Sequence, residues 1–153
     1  MLTPRYQLHR EQLIARPLDE VFAFFANAGN LERITPTFLH FRILPPLPIS
    51  MEAGAAIAYR LRLFGVSFDW LTHIVLFEPE RRFIDRQIAG PYRLWHHLHE
   101  FQAVKGGTLM HDVVDYELPL GPLGVLAHGL WVRRTLDRIF DYRRDQVAAI
   151  FGA

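Results

Sequence analysis

The sequence predicts an α+β domain, a curved antiparallel sheet of six to seven strands wrapped around one long C-terminal helix, with two short helices after the first strand. Three patterns carry this expectation. Residues 38–118 are divided by turn residues at hairpin spacing, with runs too close together to leave room for crossover helices. Residues 122–151 keep a helical apolar period. Between residues 17 and 34 the period changes briefly from that of a strand to that of a helix.

Residues 5–15 read as the first strand, with Tyr6, Leu8 and Ile14 on one face. Pro17 suits a first helical position and Asp19 and Glu20 suit the positive end of a helix. Leu18, Val21, Phe22 and Phe25 then recur at helical spacing. Residues 27–29 break that helix, Asn30 is placed to cap a second one that runs to Ile34, and Thr35-Pro36 ends it. Residues 38–44 read as the second strand, closed by Pro45, Pro46 and Pro48, and residues 56–63 and 66–77 flank a Phe64-Gly65 turn. After the turn Glu78-Pro79-Glu80 come strands at 82–89, 92–104 and 108–118, separated by Gly90-Pro91 and Lys105-Gly106-Gly107. In the last helix Val132, Leu136, Ile139, Phe140, Val147, Ile150 and Phe151 make the apolar stripe. Arg134, Asp137, Arg138, Asp141, Arg144 and Asp145 make the solvated face.

One domain accounts for all 153 residues, since no repeat, low-complexity tract or linker divides them. Twelve Phe, five Tyr and three Trp supply enough apolar surface for a core and for a cavity of roughly several hundred cubic ångströms. Seventeen Lys plus Arg against sixteen Asp plus Glu leave a formal charge of +1, too little long-range field to gather nucleic acid or an anionic membrane. Nucleic acid is therefore not an expected partner. The absence of Cys excludes disulfides and thiolate chemistry and makes a cytoplasmic location the simplest reading. The first ten residues lack the apolar stretch of a signal peptide, and no segment reaches the ~20 apolar residues of a span, so no membrane insertion is expected.

Several strings in this order are similar to those of a known superfamily. They are Asn30-Leu31-Glu32-Arg33-Ile34-Thr35-Pro36, Phe77-Glu78-Pro79 with Arg82-Phe83-Ile84-Asp85, and Gly90-Pro91-Tyr92 with Trp95-His96-His97-Leu98-His99-Glu100-Phe101. Gly107-Thr108 with Asp112, Tyr116 and Leu118-Pro119-Leu120-Gly121 completes them. Over nearly its whole length the chain resembles the START-like helix-grip superfamily, also labelled SRPBCC, which includes polyketide cyclase/dehydrase and coenzyme Q-binding START-type domains. The resemblance implies the helix-grip fold and a lipid, isoprenoid quinone or polyketide-like ligand. It also implies a pocket entrance bordered by the head of the last helix. It does not choose an activity, because one scaffold hosts carriers, cyclases and regulators.

Residues 95–116 are the richest segment. With Gly106-Gly107 as the hairpin turn, Lys105 faces Thr108, Phe101 faces Asp112 and His97 faces Tyr116. Alternation then puts Trp95, His97, His99, Phe101, Asp112, Val114, Tyr116 and Leu118 on the inner face. His96, Glu100, Gln102, His111, Asp115 and Glu117 fall on the outer one. Thr72, Asp85 and Gln87 share the parity of Trp70, Ile74 and Phe83 and extend the polar set, although an ion pair of Asp85 with Arg60 or Arg62 is the bland alternative. Gly121, Gly124 and Gly129 relax or closely pack the start of the last helix, where Trp131 is either core or portal.

The candidate ligand-binding residues are thus Trp70, Thr72, Asp85, Gln87, Trp95, His97, His99, Phe101, Asp112, Tyr116 and Trp131. Their polar members either orient a ligand or form a satisfied internal network. His97, His99 and Asp112 can supply three metal ligands in principle, but no metal-ligand motif accompanies them, and no metal or other cofactor is expected. No nucleophile elbow, phosphate loop or obvious acid–base carboxylate pair is present. The leading expectation is a non-catalytic binder or carrier of a small hydrophobic molecule, with a homodimer compatible with the sequence. The rival is a polyketide cyclase or dehydratase in which His97 or His99, held by Asp112, moves a proton while Tyr116 stabilises an enolate. An interaction module with an exposed apolar patch is a third reading.

Overall fold

The structure is a computed structural model that describes residues 4–44, 51–63 and 65–152. Seven antiparallel strands form one open, curved sheet in the order β1-β7-β6-β5-β4-β3-β2: β1 (Tyr6–Ile14), β2 (Arg42–Ile43), β3 (Ala56–Leu63), β4 (Val66–Glu78), β5 (Arg82–Ala89), β6 (Leu94–Val104) and β7 (Gly107–Glu117). Strands β2 to β7 are a meander, and β1 closes on β7 from Tyr6↔Tyr116 to Ile14↔Thr108. The C-terminal helix runs without interruption through α2 (Pro122–Ala127), a π turn (His128–Val132) and α3 (Arg133–Phe151). Its stripe of Val132, Leu136, Phe140, Val147 and Phe151 is buried among inward-facing strand residues.

Helix α1 (Leu18–Phe25) presents Val21, Phe22 and Phe25 to the sheet, with Pro17 one position earlier than expected, at the cap. The second short helix is a 3₁₀ stretch, Ala28–Ile34. Asn27 caps it by accepting the Gly29 N–H at 3.0 Å, not Asn30, whose amide donates to the Phe24 carbonyl. The expected strand at 38–44 contracts to Arg42–Ile43. Thr37–Leu39 forms a 3₁₀ turn, and His40 at φ 48° redirects the chain. Pro45, Pro46, Pro48 and Phe64 lie outside the described residues. β6 begins at Leu94 because the Gln87 side chain bonds both the N–H and the C=O of Tyr92, which withdraws that residue from the ladder.

The β6–β7 hairpin departs from the expected register by two residues. Val104 faces Gly107, so the turn is Lys105-Gly106, and His99 rather than Phe101 faces Asp112 while Trp95 rather than His97 faces Tyr116. A shift of two keeps every side chain on its face. Trp95, His97, His99, Phe101, Asp112, Val114, Tyr116 and Leu118 are accordingly all buried. Gly107 sits inside the ladder at φ +148°, where a Cβ would lie 2.0 Å from the carbonyl oxygen of Ile14. Gly107→Ala is therefore expected to destabilise the chain by roughly 2–3 kcal/mol in urea unfolding. Gly129→Ala, with open space around it, serves as a neutral control, and equal stability of the two variants would refute the close approach of β1.

Two ring-rich clusters make the interior. One joins Phe22, Phe25, Phe83 and Phe101 to Ile14, Val147 and Phe151 at the C-terminal end of α3. The other surrounds Tyr59, Trp70, Trp95, Tyr116, Leu136 and Phe140. Between sheet and helix the second cluster leaves a space.

Candidate functional site

That space is a cavity of about 170 Å³. Its wall is mostly rings and aliphatic chains, among them Phe41, Tyr59, Trp70, Phe83, Trp95 and Phe140, and it is narrower than composition suggested because these same rings fill much of it. Apart from Asn27, Asn30 and Thr35, whose side chains bond nearby backbone around the 3₁₀ stretch, its polar groups gather in two places. On β3 and β4, Thr72 Oγ1 accepts from Trp70 Nε1 at 3.0 Å and lies 3.3 Å from the Tyr59 hydroxyl, a phenol that burial keeps protonated. The β5–β6 wall and α3 supply Asp85, His97, His99 and Arg143.

The second group is held from behind by Asp112 on β7. His97 Nε2–H donates to Asp112 Oδ1 at 2.8 Å, and His99 Nε2–H donates to Asp85 Oδ2 at 2.5 Å. The imidazoles stack at 3.6 Å, and His99 also stacks on Phe83 at 4.2 Å. Arg143 Nη1 lies 4.0 Å from Asp112 Oδ1, with its side chain only 11% exposed. Among the described residues His99 Nδ1 is the one buried side-chain nitrogen or oxygen without a hydrogen bond. Asp112 Oδ1 is 3.4 Å away but poorly aligned.

Charge is distributed unevenly over this network. Burial and the charge on His99 hold the His97 pKa below the ordinary imidazole value, outweighing the two aspartates. Burial works the same way on His99, but the carboxylates of Asp112 and Asp85 overcome it and raise its pKa. Burial likewise opposes ionisation of Asp85 and Asp112. Hydrogen bonds from the histidines and the nearby Arg143 nevertheless lower both, Asp112 strongly. The two carboxylates thus favour the imidazolium form at His99, while burial and the neighbouring ring disfavour it at His97. The His97 Nδ1 carries a lone pair 3.8 Å from Asp85 Oδ2.

Of the residues singled out in the sequence, Trp70, Thr72, Asp85, Trp95, His97 and His99 line the cavity. The others do not. Gln87 clasps the Tyr92 backbone, Phe101 packs in the neighbouring ring cluster, and Asp112 lies behind the histidines, facing a second space of about 70 Å³ beside Arg10 and Arg144. Tyr116, outside the cavity lining, donates its hydroxyl to His128 Nε2 at 2.8 Å, and burial raises its pKa to about 12. Trp131 points outward, 57% exposed. Asp85 pairs with His99, and Arg60 pairs with Asp69 instead. Arg143, Tyr59 and Phe140 were missed. The signal for Arg143 was its place on the stripe Leu136, Phe140, Arg143, Val147, where a charged residue interrupts helical apolar spacing.

Among the described residues, two groups present three ligand atoms within 4.8 Å of one another. The buried one is Asp85, His97 and His99, with Asp85 in place of the Asp112 expected from sequence. Its rings are stacked and its Asp85 and His99 atoms are joined by a hydrogen bond, so it is organised as a network. The other, His9, Glu11 and His111, lies on the outer face.

The family model for polyketide cyclase / dehydrase and lipid transport matches residues 14–140. No protein with a curated description matches the chain. Among solved structures, the Zhui aromatase/cyclase from Streptomyces sp. R1128 superposes with a TM-score of 0.75, with 14% identity over 97% of this chain and 94% of that one. A protein from Chromobacterium violaceum gives 0.72 with 12% identity over 96% and 97%. A major latex-like protein from Panax ginseng gives 0.65 with 14% identity over 96% and 97%. At such identities the likeness is one of fold. The family model, spanning most of the chain and both walls of the cavity, places this protein in the polyketide cyclase/dehydrase and lipid transport family of the START-like superfamily.

Proposed function

We propose that the chain binds and carries a small hydrophobic molecule of the lipid, isoprenoid quinone or polyketide-like class, with Asp85, His97, His99 and Arg143 meeting its polar group. The observation that carries this reading is the uneven cavity wall, rings and aliphatic chains around most of it and the ionisable groups Asp85, His97, His99 and Arg143 together on one side. A cavity near 170 Å³ is on the scale that admits a single aromatic ring, so a larger ligand enters only one portion at a time or parts α3 from the sheet. Native mass spectrometry and solvent extraction of the purified protein are expected to reveal a co-purifying apolar molecule. His99→Gln and Asp85→Asn are each expected to weaken its retention about tenfold, the equivalent of one lost hydrogen bond of ~1.4 kcal/mol. Failure to retain any apolar molecule or apolar fluorescent probe would sink the reading.

One observation favours the cyclase or dehydratase alternative: two stacked imidazoles with pKa values pushed in opposite directions form a donor and an acceptor at the cavity wall. In that reaction His97 Nδ1 takes a proton from the carbon next to a ligand carbonyl while His99, the more basic of the two rings, supports the oxygen. The readout that separates the readings is turnover of a polyketone panel. In the catalytic case His97→Gln cuts turnover by ~10²–10⁴ at nearly unchanged affinity. In the carrier case there is no turnover to lose.

A further inference from the structure

The outward face of the C-terminal helix changes character along its length. Its inward positions, Gly124, His128, Val132 and Leu136, are buried throughout. Its outward positions carry Arg134, Arg138 and Asp145 in α3, but Leu123, Leu126 and Leu130 in α2 and the π turn. Six of the eleven large apolar side chains exposed among the described residues fall within residues 120–131: Leu120, Leu123, Val125, Leu126, Leu130 and Trp131. Scattered apolar side chains on a surface need no explanation, but six of eleven gathered within residues 120–131 do.

The charge around this face is as uneven as its polarity. Residues 118–136 contain Arg133 and Arg134 and no Asp or Glu. The near-zero net charge of the chain conceals this local excess, which sits directly beyond Trp131. An apolar stretch, then an indole, then paired guanidinium groups is the order met on passing from the acyl region of an anionic bilayer through its interface to its headgroups. A second copy docking on the same face would bring the same two arginines and no acid from this stretch to meet them.

We propose that the face formed by Leu123, Leu126, Leu130 and Trp131, rimmed by Arg133 and Arg134, docks on an anionic lipid surface. The helix lies in the interface and does not cross it: no helix among the described residues is long and apolar enough to span a membrane. Docking brings the cavity wall close to the lipid. Leu136 on that wall follows Trp131 by five residues, about 8 Å along the helix axis. The inference stands apart from the identity of the ligand, since adhesion to vesicles needs none.

Trp131 is a built-in probe, because Trp70 and Trp95 are buried in the protein. The test is co-sedimentation and tryptophan fluorescence of the full chain with phosphatidylcholine vesicles, with and without phosphatidylglycerol, using lipids brominated on the acyl chain as quenchers. The expected result is binding to the phosphatidylglycerol vesicles that weakens with salt, with quenching that disappears in Trp131→Phe. Leu126→Ser/Leu130→Ser is expected to abolish binding, and Arg133→Gln and Arg134→Gln to weaken it about fivefold each. Circular dichroism and retention of an apolar probe in the cavity check that each variant is folded. Absence of binding at low salt, binding indifferent to phosphatidylglycerol, or a stable dimer that shields Trp131 from an aqueous quencher before vesicles are added would each overturn the proposal.

Discussion

Replacing Asp112 with Ala is expected to lower the stability of the chain by about 3–5 kcal/mol, the cost of removing one partner from a buried charged network. The Asp112 side chain is 5% exposed. It accepts the hydrogen bond of His97 and is the nearest carboxylate to Arg143, itself largely buried over the Phe140 ring. Without it the His97 N–H has no acceptor, His99 keeps only Asp85 as counter-charge, and Arg143 has no neighbouring carboxylate on β7. Asp112→Asn preserves the shape and part of the hydrogen bonding, so its cost is expected to be smaller. The pH dependence distinguishes lost charge from lost packing. Because the Asp112 and Asp85 pKa values are lowered on folding, their contribution is present above the unfolded carboxylate value near ~3.9 and is lost as pH falls through their folded values. His99, raised on folding, contributes fully below about 6.5, and that contribution is lost as pH rises through its folded value. Because His97, lowered on folding, opposes His99 above about pH 6, the test is the acid limb: urea unfolding between about pH 3 and pH 6 is expected to show stability declining toward acid in the wild type, and more shallowly in Asp112→Asn. An Asp112→Ala protein within ~1 kcal/mol of wild type at neutral pH would show that the network is not a stabilising unit.

Replacing Ala28 with Phe is expected to abolish ligand retention, by a factor of about 100 or more. Ala28 is a buried residue of the 3₁₀ stretch and part of the cavity wall. A phenyl ring there is comparable in size to the single aromatic guest that a cavity of ~150 Å³ accepts, so it occupies most of the 170 Å³ available. Overpacking costs about 1–3 kcal/mol where a core has no room. A ring that enters an existing space replaces absent contacts with dispersion contacts and recovers much of that cost. The measurement is paired: retention of the co-purifying molecule or an apolar probe, and the unfolding midpoint. Retention at the wild-type level in a folded Ala28→Phe protein would show that the ligand binds elsewhere.

The sheet, the long helix and the inner face of β6 and β7 were all legible in the sequence, because each rests on a local period. Alternation assigns Trp95, His97, His99, Asp112 and Tyr116 to one face whatever the partner strand, and an error of two residues in the hairpin leaves that assignment intact. The boundaries at residues 27–44 were less legible. A cap and a left-handed residue, Asn27 and His40, settle them through single side-chain and backbone choices that no period announces. The extra strand residue at Gly107 depends on the close approach of Ile14, a contact made across ninety-three residues of chain.

The sequence by itself determined which residues face inward, since strand and helix periods depend only on neighbours along the chain. Tertiary structure decided which inward residues meet. It joined Asp85 to His99 from adjacent strands, set Asp112 behind the histidines, turned Tyr116 toward His128, and brought Arg143 across from the helix to face them. The physical reason is that burial is a one-dimensional pattern, whereas a hydrogen bond requires two atoms within about 3 Å. That distance is set by strand register, sheet curvature and the rotation of the helix about its axis together.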